Sequence, residues 1–143
     1  MMDNSSLISL FFEKFEFLFQ LNFTEKQIFE NQTYAFGVIL KNNVNGLTFS
    51  FAYYESQKNS PLGINNDVVL LKLANNGSHI DFSRLFKRDG FFIENCQYQY
   101  ITLEGLDFDV FLTKATGLIK EKYIKLFTGE DWIEIKYDLR DDY

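Results

Sequence analysis

The chain has one histidine, His79, and one cysteine, Cys96. Brought together in space they would form a thiol–imidazole pair, because a nucleophile and its base need only be adjacent in the fold. No local signature surrounds either residue, and His79 falls in a polar turn. The simpler assignment is an inert buried thiol and a solvated imidazole. A single cysteine also excludes an intramolecular disulfide and makes a thiolate metal cluster untenable. The eight glycines are scattered, with neither GxGxxG nor GxxxxGK[ST], and one histidine cannot make HExxH.

Carboxylates are the remaining chemistry. Asp107 and Asp109 point to different sides if they lie in a helix. The segment Gly129 to Tyr143 carries six carboxylates against two bases, so much of the net charge of −6 sits in this tail. Glu130, Asp131 and Glu134 lack the glycine and the D-x-[DN]-x-[DN] spacing of a calcium loop, so a solvated acidic face is expected rather than a metal site. No cofactor is expected either. Mixed with Trp132 and Tyr137, these acids have the composition of an interface, in which aromatics anchor and charges speed encounter. The candidate partner-binding residues are therefore Glu130, Asp131, Trp132, Glu134, Tyr137, Asp138, Asp141 and Asp142. Core burial is the competing assignment for Trp132, and solubility for the acids.

A net charge of −6 argues against direct nucleic-acid binding, which uses Lys and Arg to neutralise phosphates, and against an anionic membrane surface. The small cluster Arg84, Lys87 and Arg88 is explained by cations complementing a helix C-terminus. The Phe- and Leu-rich stretch from Leu7 to Phe23 is interrupted by Glu13, Lys14 and Glu16 and follows Asp3. Neither a secretory signal nor a membrane span is built that way. A reducing, cytoplasmic setting fits best.

The elements that must position these groups fit one domain over residues 1–143. Seventeen phenylalanines allow a large core for this length. Asn4, Ser5 or Ser6 caps an expected helix to about Gln20, with Leu7, Leu10, Phe11, Phe15, Leu18 and Leu21 on one face. Residues 22–32 read as a connector with a short helical chance. Tyr34, Phe36, Val38 and Leu40, then Leu47, Phe49, Phe51 and Tyr53, alternate as two strands. Asn45-Gly46 between them is the favoured pair for a two-residue type I′ turn, which sets Leu40 opposite Phe51 and Val38 opposite Tyr53. Val68 to Leu73 is a third strand, followed by a turn at Asn75-Asn76-Gly77. Asp81 caps a short helix to Phe86 that Gly90 ends. The span 91–103 is strand or irregular. Leu106 to Thr128 is the second long helix, stopped by Gly129, with Gly117 inside it suggesting a close packing contact. After Gly129 the tail alternates as a strand (Ile133, Ile135, Tyr137, Leu139 inward) or lines acids on one helical stripe. The expected class is α+β: the N-terminal helix and the late helix packed on a mainly antiparallel sheet of three or more strands with an Asn-Gly hairpin.

The N-terminal helix carries FEFL (Phe15–Leu18) and is followed by NF (Asn22–Phe23). The hairpin, the third strand and a late helix ending in TGEDW (Thr128–Trp132) come next. In this order the chain resembles the small acidic bacterial proteins found beside polymorphic toxins and grouped as immunity proteins. The resemblance implies a tight, stoichiometric inhibitor that covers a toxin, often a basic nuclease, with acidic and aromatic side chains. A phage or mobile-element accessory protein that blocks a host nucleic-acid-binding factor would look the same. A small ligand-binding protein or enzyme with an aromatic-lined cavity between helix and sheet is the third alternative. Homodimerisation through sheet edges or the Phe-rich helix is left open.

Overall fold

The computed structural model describes residues 3–31, 35–55 and 66–132. Its elements are α1 (Asn4–Lys14), α2 (Phe17–Gln20), β1 (Phe23–Asn31), β2 (Ala35–Asn42), β3 (Thr48–Tyr54), β4 (Val68–Asn75) and β5 (Ser78–Asp81). There follow α3 (Phe82–Arg88), β6 (Ile101–Thr102), α4 (Phe108–Leu118), a widened helical turn (Ile119–Tyr123) and α5 (Ile124–Phe127). The strands form a six-stranded sheet in the order β1-β2-β3-β4-β5, with β6 also paired to β4, and every pairing is antiparallel. The class is α+β, as the hydrophobic periodicities require.

The helices pack on one face of this sheet. Directly opposite residues share a face, and the inward rows are Leu40–Phe49–Leu73–Ile80, Val38–Phe51–Leu71 and Phe36–Tyr53–Val69. Against them α1 sets Phe11 on Phe51 and Phe15 on Phe49, with ring centroids 4.7 and 5.1 Å apart. From the other helices, Phe108 meets Tyr53 at 5.0 Å, Phe127 meets Phe49 at 5.5 Å and Phe82 meets Phe127 at 5.8 Å. Such tilted, edge-on and stacked pairs add roughly 0.5–1.5 kcal/mol each beyond burial. The phenylalanines thus make one contiguous core.

Several local expectations change. Asp3, not Asn4, Ser5 or Ser6, caps α1: its Oδ1 accepts from the Ser6 backbone N–H at 2.9 Å. The helix does not run unbroken to Gln20 but turns at Phe15–Glu16 and resumes as α2. Residues 23–31 are a strand, not a connector. Its alternation is masked because, apart from Phe23, β1 is exposed on both faces as far as Glu30.

The hairpin turn is the main correction. β2 and β3 do pair, but not through a two-residue Asn45-Gly46 turn. Leu40 lies opposite Phe49 and Val38 opposite Phe51, two residues from the expected register. The reason is Asn42, which is 1 % exposed. Its Oδ1 accepts from the Val44 and Asn45 backbone N–H groups at 2.8 and 3.1 Å, and its Nδ2 donates to the Leu21 carbonyl at 2.8 Å. These bonds stabilise a longer loop that Gly46 closes at φ +80°. A shift of two preserves side-chain parity, so the inward set stays as expected. The tight turn occurs instead between β4 and β5, where Asn76 (φ 49°) and Gly77 (φ +84°) join the paired residues Asn75 and Ser78.

The late helix begins at Asp107, whose carboxylate accepts from the Val110 N–H at 3.4 Å, and ends at Gly129 with φ +87°. Gly117 makes no close packing contact: a Cβ built there meets nothing within 4 Å. Residues 91–103 are largely irregular, with β6 as their strand.

Candidate functional site

One face of the sheet is covered by helices. The other presents the alternate residues of each strand, and the same register places them in rows. Gln27, Ile39, Ser50, Lys72 and Asp81 form one row across five strands. Phe29, Gly37, Ala52 and Leu70 form the next, and Lys41, Thr48, Ala74 and His79 flank the first on its other side. The centre is small (Gly37, Ser50, Ala52) and the borders are large (Phe29, Ile39, Leu70). The result is a groove of about 340 Å³, with Gln99 also on its wall.

Lys72, His79 and Asp81 gather at the β4–β5 end of this groove. His79 Nε2 lies 3.4 Å from Asp81 Oδ2, with the Asp81 side chain only 10 % exposed and that of His79 47 % exposed. Burial pushes the Asp81 carboxyl above the usual carboxylate range, while the positive charges of His79, Lys72 and Arg84 oppose the rise. Asp81 ends β5 and stands at the N-cap position just before α3, but its side chain makes no cap hydrogen bond there. Its carboxylate is turned to His79 instead, which corrects the expected capping role. The trio offers one hydrogen-bonding, charge-bearing corner beside an apolar floor.

His79 and Cys96 have separate environments. Cys96 is 1 % exposed within the core cluster, its Sγ lies 3.8 Å from the Phe91 carbonyl, and burial pushes the thiol up to about 12. A thiol so protonated is a packing group rather than a nucleophile. Asp107 is the helix cap, and Asp109 lies 3.4 Å from Lys14 Nζ. Arg84, Lys87 and Arg88 line a second cleft of about 560 Å³ with Gln97 and Tyr98, and Arg84 lies over the Tyr98 ring at 5.7 Å. Among the described residues, no three of His, Cys, Asp and Glu gather as metal ligands would. Nor is any described helix long and apolar enough to cross a membrane.

Of the eight tail residues singled out from the sequence, Glu134, Tyr137, Asp138, Asp141 and Asp142 lie outside the described residues. Glu130 is exposed and accepts from the Thr128 hydroxyl at 3.0 Å, and Asp131 is partly exposed. Trp132 is not an exposed anchor. It is 8 % exposed and belongs to the core cluster, because the chain folds back after Gly129 and returns its one large apolar ring to the helix–sheet interior.

The sheet-face groove was not anticipated as a site. Its signal was the set of small outward residues, Gly37, Ser50 and Ala52, interleaved with the inward aromatics. No protein-family model matches the chain, and neither a curated protein nor a solved structure matches it.

Proposed function

We propose that the protein is a cytoplasmic protein-binding inhibitor of the immunity type, which docks a basic partner, such as a toxin domain, on the open face of its sheet. The observation that carries this reading is the groove of Phe29, Gly37, Ile39, Ala52 and Leu70 with its polar corner of Lys72, His79 and Asp81. An apolar centre with a polar rim is the anatomy of a protein interface. The preference for a basic partner rests on the net charge of −6, on the exposed Glu130 and on the acidic composition of the sequence that follows it. In this reading the acidic tail speeds encounter and the sheet face supplies the lasting contact.

Affinity capture of the tagged protein from its native lysate at low and high salt tests this, followed by titration of the purified retained protein. The expected result is one basic partner held one-to-one, with Ala52→Arg weakening it at least roughly tenfold by filling the groove. A partner that binds A52R as it binds the parent removes the sheet face from the proposal. An empty capture from folded protein removes the inhibitor reading altogether.

A second reading has its own observation. A groove of about 340 Å³ with Lys72, His79 and Asp81 converging at one end also has the size and lining of a small-ligand site. Small aromatic carboxylates are the natural probes, since they pair an apolar body with an anionic head. A thermal shift that Lys72→Met abolishes would favour this reading over the first.

A further inference from the structure

We propose that two copies of this chain join through antiparallel pairing of their β1 strands, extending each sheet into the other. The proposal goes beyond the partner-binding reading and does not depend on it.

β1 is the outermost strand of the sheet among the described residues, and it is nine residues long. Strands of this length rarely stand uncovered at a sheet edge, because their unpaired N–H and C=O groups form a template for another strand. From Thr24 to Glu30 its side chains are exposed on both faces, including Ile28 at 44 % and Phe29 at 53 %. The helical layer meets β1 at the buried Phe23, whose ring lies 5.7 Å from that of Phe127, and reaches as far as Lys26, whose Nζ lies over the Phe12 ring at 5.1 Å. Beyond that point the strand overhangs the layer.

The sequence of β1 fits itself. Lys26, Ile28 and Glu30 share the helix-side face, opposite Leu40, Val38 and Phe36, while Gln27 and Phe29 share the other face, opposite Ile39 and Gly37. Place a two-fold axis at Ile28. Ile28 then meets Ile28 of the second copy, and Lys26 meets Glu30 of the second copy, twice by symmetry. On the opposite face Gln27 lies beside Phe29 of the second copy. Opposite charges and apolar side chains directly across a strand pair are stabilising, and like charges are not. Neighbouring registers lack this match. An axis at Gln27 sets Lys26 against Ile28 and Glu25 against Phe29. An axis between Gln27 and Ile28 sets Glu25 against Glu30. A two-fold interface must be self-complementary, and the Lys26-x-Ile28-x-Glu30 pattern satisfies that only when the strand meets its own copy antiparallel.

Charge reversal tests the register. Sedimentation velocity of the full chain from micromolar to millimolar concentration should show a monomer–dimer equilibrium. Lys26→Glu alone and Glu30→Lys alone each turn both cross-strand pairs into like-charge pairs, so each should weaken self-association roughly tenfold or more. An equimolar mixture of K26E and E30K restores both pairs between unlike chains, so it should form a heterodimer with affinity near that of the parent. Both positions are exposed, and circular dichroism verifies folding. Ile28→Asp, which leaves Lys26 on Phe12, provides a second disruptive variant. A monomer at every concentration overturns the proposal, and the β1 charges then serve to keep the edge unpaired. A dimer that K26E and E30K leave unchanged, or a mixture that fails to associate, overturns it equally.

Discussion

The Tyr123 hydroxyl donates a 2.5 Å hydrogen bond to Asp89 Oδ2, tying the widened turn of the late helix to the residue that ends α3. Asp89 also accepts from Arg88, whose Nε lies 2.9 Å from its Oδ1. The late helix and α3 are thus joined by a charge-assisted bond at the edge of an aromatic cluster in which Tyr123 meets Phe86 at 5.8 Å. Burial pushes the Asp89 carboxyl up, but the hydrogen bonds from Arg88 and Tyr123, with the charges of Arg88 and Lys122, outweigh it and hold the carboxyl below the usual range. Burial and the Asp89 carboxylate push the Tyr123 hydroxyl well above the usual phenol range.

Tyr123→Phe removes this bond while keeping the ring, and should cost about 1–2 kcal/mol. The pH dependence has a definite sign. Asp89 is depressed in the folded state, so its contribution is present above the ordinary carboxylate value of 3.8 and is lost as pH falls through the lower folded value. Tyr123 is raised, so its contribution is full below the ordinary value of 10.0 and is lost as pH climbs towards its folded value. Urea unfolding across the pH range should show both limbs. Asp89→Asn should reduce the acid limb without abolishing it, because Asp3, which accepts from the Ser6 N–H, is lowered in the same direction. Y123F should reduce the alkaline limb without abolishing it, because Tyr53, bonded to Asp67 at 3.0 Å, is raised in the same direction.

The β2–β3 loop is held by its asparagine side chains rather than by turn geometry alone. Asn45 Nδ2 donates to the Phe127 carbonyl at 3.0 Å and its Oδ1 accepts from the Leu47 N–H at 3.0 Å, so the loop is fastened to the end of α5. Asn42 makes three bonds and is buried. Asn45→Ala should therefore cost about 1–2 kcal/mol and Asn42→Ala about 2–4 kcal/mol, since the latter strands buried backbone groups. Equilibrium unfolding that ranks N45A as the more damaging would contradict this account of the loop.

These asparagines also show how much the sequence could disclose. Strand alternation in β2, β3 and β4 and the helical spacing of Phe11, Phe15 and Leu18 declared the core, because burial of one face dictates those periods. The α+β class and the inward set followed. The hairpin register did not follow, because a two-residue turn and a longer loop with the same parity bury the same side chains. Alongside the local bonds that Asn42 accepts from the Val44 and Asn45 N–H groups, the long-range bonds from Asn42 to Leu21 and from Asn45 to Phe127 favour the longer loop, and no local pattern encodes the long-range pair. β1 was missed for a related reason: an edge strand exposed on both faces has no alternation to read. The site residues were the least legible. An acidic segment with Trp132 reads as an interface until the fold shows that the ring packs inside, whereas the groove emerges only when Phe29, Ala52 and Leu70 from three separate strands are aligned.

Gly117 lies exposed in α4, with ordinary helical backbone and free space where a Cβ would stand. Glycine in such a position costs helix stability through its unfolded-state freedom. Gly117→Ala should stabilise the protein by about 0.5–1 kcal/mol. Thermal unfolding tests it directly. A fall in Tm would mean that the cleft formed by Gly117 with Phe91, Phe92 and Lys114 is used by something that an added methyl displaces.

Glu130 and Asp131 follow immediately on the stop at Gly129, where the Glu130 and Asp131 N–H groups point back to the Lys125 carbonyl at 2.9 and 3.4 Å. Carboxylates at a helix C-terminus oppose the dipole, and lysines complement it. The paired substitution Glu130→Lys with Asp131→Lys should therefore leave stability unchanged or raise it by about 0.3–1 kcal/mol. If these acids speed the encounter with a basic partner, the same variant should slow association at low salt, with a much smaller effect at high salt and little change in dissociation. Stopped-flow or surface-binding kinetics separate the two rates. Association that is unchanged at low salt would confine the acids to solubility, and leave the sheet face to account for binding alone.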